Sequence, residues 1–409
     1  MTGDNGENSD FELYTEKVVL NPRVKYKKLI RIVRIIVIII WILAAIILLY
    51  KLVWPKIKAK IIEKNTEVIY IEKDDYEDYF DDQYSEDDIP DIGDDYDSAL
   101  NNLKSMVDAC KLSVVTIDYK YNDLESELGD NSANQMPGVI VGHVNSEYLI
   151  ITSASVRDKN DKDVELVVNF SDSSQVVLSQ VYTLEELGLS LYKFSDSAIS
   201  VNIRDSLKVA TLGNSYVLDQ GDMLIFVGKL HSSVDTINYC TITSLSTKIA
   251  IDHNFEILET NVAKTSGDYG FLYNSSGALV GITYESENAT VKALGLSDLK
   301  WIIEEMINNQ GVMYCGIEGQ NITDELAEKY SLPTGVYISS VEINSPAYLA
   351  GLQAGDVIVE VDGKSLLTIQ EFSEKLYQKS DGDVMEITVK RKGKDSLQMI
   401  TFDVTVKRK

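Results

Sequence analysis

The stretch KTSGDYGFLYNSSGALVGIT, Lys264 to Thr283, reads as two short apolar strands joined by the polar turn Asn274–Gly277, with turn glycines at Gly267 and Gly270 ahead of the first strand. Alternating, β-branched and aromatic residues bounded by Gly, Asn and Ser are strand and turn signals. Working outward from this pair, the same pattern recurs upstream in GVIVGHV, EYLIITSAS, DVELVVNF, SQVVLSQVYT, LGLSLYKF, LKVATLG, MLIFVGK, NYCTITSLSTKI and ILETNVA. One early helix, ALNNLKSMVDACKL, precedes them behind a cap at Asp97 or Ser98, and SVVTIDYKY follows it as a strand. Many short strands at near-regular spacing predict a mainly β barrel or sandwich rather than alternating βαβ units. A second helix, SDLKWIIEEMINNQG, is predicted with Ser297 as cap and Gly311 as stop. Beyond it lie GVYISSV, SPAYLAGLQAGDVIVEVDG, a helix opened by the capping box Thr368 to Glu371, and a closing hairpin.

The 409 residues allow two or three domains. A formal charge of -26 argues against nucleic acid, whose phosphates it would repel. Cys110, Cys240 and Cys315 are far apart and only His143, His231 and His253 occur, so the sequence predicts buried thiols, with no disulfide framework, metal site or cofactor. Near the start, Arg23, Lys25, Lys27, Lys28, Arg31 and Arg34 lead into the run Ile35 to Trp54, which contains one lysine and is long enough to cross a bilayer. It ends in Tyr50, Lys51 and Trp54 rather than a small-residue cleavage site, which predicts a retained signal anchor with a cytoplasmic N-terminus. Asn65 to Ser98 then carries 15 acidic residues, five tyrosines and one lysine, a composition that predicts a solvated spacer without a core.

From Leu100 to Lys409 the chain resembles the HtrA/DegP family, trypsin-like serine proteases with a following PDZ domain. MVDACKLSVVTI resembles the family's opening V-x-x-V-x-P-S-V-V-x-I. LKVATLGNSYVLDQGDMLIFVG resembles L-x-V-A-x-L-G-D-S-x-x-L-x-x-G-x-x-V-x-A-I-G, LGLSDLKWIIEEMINNQGVMYCGI the link into the PDZ domain, and FLYNSSGALVGI the strand after the nucleophile turn. The resemblance implies a trypsin-like double β-barrel followed by a PDZ domain and preceded by one transmembrane helix. It also implies a Ser-His-Asp triad, with amides at the nucleophile turn binding the oxyanion. Here EYLIITSASV puts Ser155 at the histidine position, GLSLYKF puts Gly188 at the aspartate position, and Asp268 takes the place of the serine. These residues cannot run the triad chemistry: Ser155 is no base near neutral pH, Gly188 has no side chain, and a carboxylate at Asp268 would repel an oxyanion. Ser266, two residues before Asp268, is the remaining hydroxyl from which a rearranged site could be built with His143, His231 or His253.

PDZ domains take a peptide as an added strand and hold its terminal carboxylate on backbone amides of a glycine-containing loop. Tyr314, Cys315, Gly316 and Ile317 resemble that loop, and Phe372 and Leu376, one helical turn apart, are either the wall of the ligand pocket or plain core. The expected organisation is a cytoplasmic segment 1–34, membrane helix 35–54, acidic disordered linker 55–98, degenerate protease domain 99–295, linker helix 296–311 and PDZ domain 312–409. The expected function is an extracytoplasmic, membrane-anchored pseudoprotease that binds unfolded or C-terminal peptide segments as a sensor or adaptor. The alternative is an active serine endopeptidase. The family resemblance further implies homo-oligomers, trimers being common among its members.

Overall fold

Side chains that alternate between two apolar environments build the middle of the chain. The structure, a computed structural model, describes residues 69–74, 96–120, 135–153, 165–286, 289–308, 311–394 and 396–409. The expected membrane run 35–54 lies outside them, with the cytoplasmic segment and most of the acidic span. No helix among the described residues is long and apolar enough to cross a membrane.

Helix α1 (Tyr96–Lys111) leads into a seven-stranded sheet formed by β1 (Val114–Lys120), β2 (Gln135–Val144), β3 (Glu147–Thr152), β4 (Glu165–Asn169), β5 (Gln175–Val177), β6 (Ser179–Leu184) and β7 (Leu189–Ser195). α1 starts at Tyr96, so Asp97 and Ser98 lie inside its first turn rather than ahead of it. The strand order is β5-β4-β1-β2-β3-β7-β6. Its two ends are separated in sequence by Leu178 alone, whose N–H donates to Leu166 O of β4 (2.8 Å), so the sheet must curl until its edges approach. After the short helix α2 (Val201–Ser206) come β8 (Met223–Leu230), β9 (Ser233–Ala250), β10 (His253–Ala263), β11 (Tyr269–Tyr273), β12 (Leu279–Thr283) and β13 (Thr290–Gly295), which close into a barrel. The double-barrel expectation thus holds, the second barrel closed and the first a curled sheet.

Period-two alternation explains why these strands are apolar on both faces. In β8, Leu224 and Phe226 fill the barrel while Ile225 and Val227 join the core outside it; in β2, Ile140 points into the first sheet and Val139 and Val141 away from it. Gly228 and Gly270 are paired across β8 and β11, and a Cβ at Gly228 would sit 2.4 Å from the Gly270 Cα. Glycine on both strands permits that approach. The β11–β12 turn is closed by Asn274, whose Oδ1 accepts from the N–H groups of Ser276 (3.0 Å) and Ala278 (3.0 Å).

Helix α3 (Leu296–Ile307) is buried all round over its first turn, from Leu296 to Lys300, and at Ile302, Ile303 and Met306 beyond it, and has no side-chain cap. Ser297 lies within its first turn and accepts from Ser215 N–H (2.8 Å) instead of capping; the helix ends before Gly311. Residues 69–74, inside the span expected to be unstructured, run along α3. Ile71 N–H donates to the Glu304 carboxylate (2.7 Å), Lys300 pairs with Asp74, and Ile71 is buried in the main core. The apolar Ile69 and Ile71 give this part of an acidic stretch something to bury.

The last section contains β14 (Met313–Tyr314), β15 (Ile317–Ile322), helix α4 (Asp324–Tyr330), β16 (Gly335–Val341), α5 (Pro346–Ala350), β17 (Val357–Val361), β18 (Lys364–Ser365), helix α6 (Ile369–Tyr377), β19 (Val384–Lys392), β20 (Leu397–Thr405) and β21 (Lys407–Arg408). β15 is the end strand of the order β15-β16-β17-β19-β20. The expected capping box opens α6: Thr368 Oγ1 accepts from Glu371 N–H (3.2 Å), and the Glu371 carboxylate reaches back to Leu367 N–H (2.8 Å). Asp356 is buried and paired with Arg391 at 2.6 Å, a structural role.

Candidate functional site

Residues 264–268 form the turn that leads into β11. Its centre is Asp268, whose side chain is 1% exposed. Oδ1 accepts from His231 N–H (2.8 Å), and Oδ2 accepts from Thr265 N–H (2.7 Å) and the Thr265 hydroxyl (2.9 Å). The Asp268 N–H itself donates to Thr265 O (3.2 Å). An oxyanion hole needs amides aimed at open space. Here the Asp268 amide, at the position where the resemblance leads one to expect the nucleophile, closes the turn, and the carboxylate locks it. The turn borders a pocket of about 560 Å3 lined by Lys264, Ser266, Tyr269 and Glu285 among others. Burial lowers the Lys264 ammonium pKa, against the pull of Glu285 and Asp268, and pushes the Tyr269 phenol up to about 12.

Of the other expected triad positions, Ser155 lies outside the described residues. Gly188 is described, at φ 65° just ahead of β7, and a Cβ there would lie 3.6 Å from Ser153 O at the end of β3. The chain leading towards Ser155 therefore passes beside Gly188, but glycine offers no carboxylate. Ser266 is exposed, and no hydrogen bond joins it to a histidine among the described residues. His143 stacks on Tyr148 (4.2 Å between ring centroids) and faces Asp196. The exposed His231 ring holds Nδ1 3.8 Å from Asp268 Oδ2, beyond hydrogen-bond reach. His253 opens β10, is buried, and lies 3.2 Å from Asp298 through Nε2. The same Asp298 accepts from the Tyr216 hydroxyl (2.7 Å) and Glu256 N–H (2.6 Å), so His253 belongs to an interior polar cluster.

The second expected site is the loop Tyr314–Ile317. The Cys315, Gly316 and Ile317 N–H groups all converge on one carboxylate, that of Asp252 in the two-residue turn between β9 and β10. Cys315 N–H lies 2.7 Å from Oδ2, Gly316 N–H 2.8 Å from Oδ1, and Ile317 N–H 2.9 Å from Oδ1. Gly316 has φ 96°, and a Cβ there would collide with Ser345 at 2.2 Å, so glycine is required for the loop to present its amides. Tyr314 turns outward to bond Glu342, and Phe372 and Leu376 on α6 are fully buried in the core.

A family model for the PDZ domain matches residues 337–391, within the section that β15 and α6 belong to. The serine protease Do-like HtrA of Lactobacillus helveticus is 25% identical over 340 residues, 73% of this chain and 79% of the relative. The Do-like HtrA of Bacillus subtilis is 27% identical over 306 residues, 67% of this chain and 64% of the relative. The chain is similar to serine proteases of the HtrA/DegP type. A probable periplasmic DegP-like serine endoprotease of Pseudomonas savastanoi pv. phaseolicola is 24% identical over 269 residues, and the chain spans only 54% of its length. In fold, the chain is similar to an HtrA-type protease AlgW with a decapeptide (TM-score 0.53, 19% identity, 76% of this chain and 99% of that one). A serine endoprotease from Yersinia pestis gives a TM-score of 0.51 at 19% identity, covering 75% of this chain and 98% of that one.

Within this HtrA/DegP-like frame the three cysteines are buried and free, their thiols pushed up by burial, to about 11 for Cys110 and about 12 for Cys240. Among the described residues, no cluster of His, Cys, Asp or Glu could hold a metal ion. Sequence reasoning missed Asp252, Asn254 and Ser373. Asn254 Nδ2 donates to Gly319 O (3.0 Å), and Ser373 Oγ on α6 donates to Asp252 O (2.5 Å). Burial, opposed by the three loop amides, pushes the Asp252 carboxyl up to about 6. An aspartate in a hairpin turn is an ordinary turn residue, and nothing local marked its partner 63 residues away.

Proposed function

We propose that this chain is a membrane-anchored, extracytoplasmic HtrA-like pseudoprotease that recognises protein C-termini or unfolded segments through its PDZ domain, as a quality-control sensor or adaptor. The observation that carries the non-catalytic half is the Asp268 turn: the carboxylate takes Thr265 and His231 donors and the Asp268 N–H is bonded within the turn. That arrangement leaves neither a nucleophile nor an open amide at that position. The receptor half is supported by the 315–317 amides, whose spacing suits a carboxylate. The apolar run 35–54 supports the anchor, and the polypeptide beyond it is assigned to the outer side.

The second reading is an active serine endopeptidase, favoured by the names of the relatives. A fluorophosphonate probe and a casein-cleavage assay on the full chain separate the two. No labelling and no cleavage are expected; labelling and cleavage that both vanish in Ser266→Ala would overturn the pseudoprotease reading.

A further inference from the structure

The end strand β15 and helix α6 frame the groove in which a PDZ domain receives an extended peptide, and in this chain the groove is not open. The turn Ile251–Asp252 lies in it. Ile251 forms an antiparallel bridge with Glu318 of β15, and Asp252 N–H donates to Ile317 O (2.6 Å). Asn254 extends the contact to Gly319 O, while Ser373 of α6 holds the Asp252 carbonyl from the other side. The carboxylate then takes the loop amides of Cys315, Gly316 and Ile317. Backbone pairing with the end strand combined with a carboxylate on consecutive loop amides is the pattern by which a PDZ domain holds a peptide terminus. Asp252 adopts φ 61°, a left-handed conformation unusual for a non-glycine residue, in the turn that delivers this carboxylate.

We propose that the β9–β10 turn is a tethered occupant of the PDZ groove, with the Asp252 carboxylate standing in for a ligand's terminal carboxylate, so that a peptide C-terminus enters only by displacing it. This rests on the receptor reading under Proposed function and adds its regulation. A tethered occupant competes at a high effective concentration. The apparent affinity for peptide is therefore reduced by the fraction of molecules in which the turn has withdrawn. Because the turn belongs to the second barrel, displacement must loosen the PDZ domain from the protease-like domain, and peptide binding is coupled to that opening.

The test uses the full chain and its Asp252→Asn variant, which keeps the side-chain shape and loses acceptor capacity towards the three amides. Two readouts are taken: hydrogen exchange at Cys315, Gly316 and Ile317, and binding of a fluorescent decapeptide pool ending in aliphatic or aromatic residues with a free carboxylate, beside the same pool amidated. Asp252→Asn is expected to speed exchange at these amides at least about tenfold and to tighten binding of the free-carboxylate pool by a similar factor, equivalent to about 1.4 kcal/mol. The amidated pool should gain nothing. Ser373→Ala, which removes the α6 contact and leaves the carboxylate in place, should move both readouts in the same direction by less, and serves if Asp252→Asn does not fold. Unchanged exchange in both variants, or tight wild-type binding that neither variant improves, would overturn the tethered-occupant proposal and leave the receptor reading standing. Faster exchange with no binding of either pool would overturn the receptor reading and with it the competition proposed here.

Discussion

Replacing Asp268 by alanine tests whether the turn before β11 is held by its carboxylate. The substitution removes acceptors for His231 N–H, Thr265 N–H and the Thr265 hydroxyl. A hydrogen bond to an ionised group contributes about 1.5–3 kcal/mol. Those values do not simply add, because Thr265 and His231 are exposed and water can replace the lost acceptor at each. The expected loss is about 3 kcal/mol for Asp268→Ala, and about half of that for Asp268→Asn, which retains one acceptor oxygen. The assay is the urea midpoint of the full chain at constant slope, with hydrogen exchange followed at Thr265 and His231. Both amides should exchange faster in Asp268→Ala. A loss below about 0.5 kcal/mol with exchange unchanged at the two amides would refute the claim that the carboxylate locks the turn.

Glu256 titrates in the interior: burial first, then the charges of Asp298 and Asp219, push its carboxyl from 4.5 to about 7, and its Oε2 is buried without a partner. A raised folded-state pKa means a contribution that is present below about 4.5 and lost as pH rises through about 7. Glu256→Gln should therefore stabilise the chain by on the order of 2 kcal/mol at pH 8 and by little at pH 5, read as thermal midpoints; equal gains at both pH values would contradict this. Asp356→Ala, which strands Arg391 and the Gln353 amide, should cost about 3 kcal/mol, and the double variant with Arg391→Ala should cost little more. Additive losses in that thermal-unfolding cycle would show that the pair is not coupled.

Much of the fold was legible because its signals are local. The Asn274–Gly277 turn, the Thr368–Glu371 capping box and the alternation in β2 and β8 each depend on residues within a few positions of one another, where side-chain type and backbone geometry are directly linked. Helix starts were misplaced for a related reason: Asp97, Ser98 and Ser297 have the chemistry of caps, but α1 begins earlier and the Ser297 hydroxyl is engaged by Ser215, 82 residues away.

By itself the sequence determined the mainly β architecture, the order of protease-like and PDZ sections, and the presence of an aspartate where the family resemblance leads one to expect a nucleophile. Only the tertiary structure decided what that aspartate does, that His253 is interior, that residues 69–74 are bound along α3, and that the loop 315–317 already holds a carboxylate. The physical reason is the same in each case. A carboxylate will accept hydrogen bonds from whichever donors the fold brings within about 3 Å, and for Asp252 those donors lie 63 to 65 residues further along, a distance that no local pattern encodes.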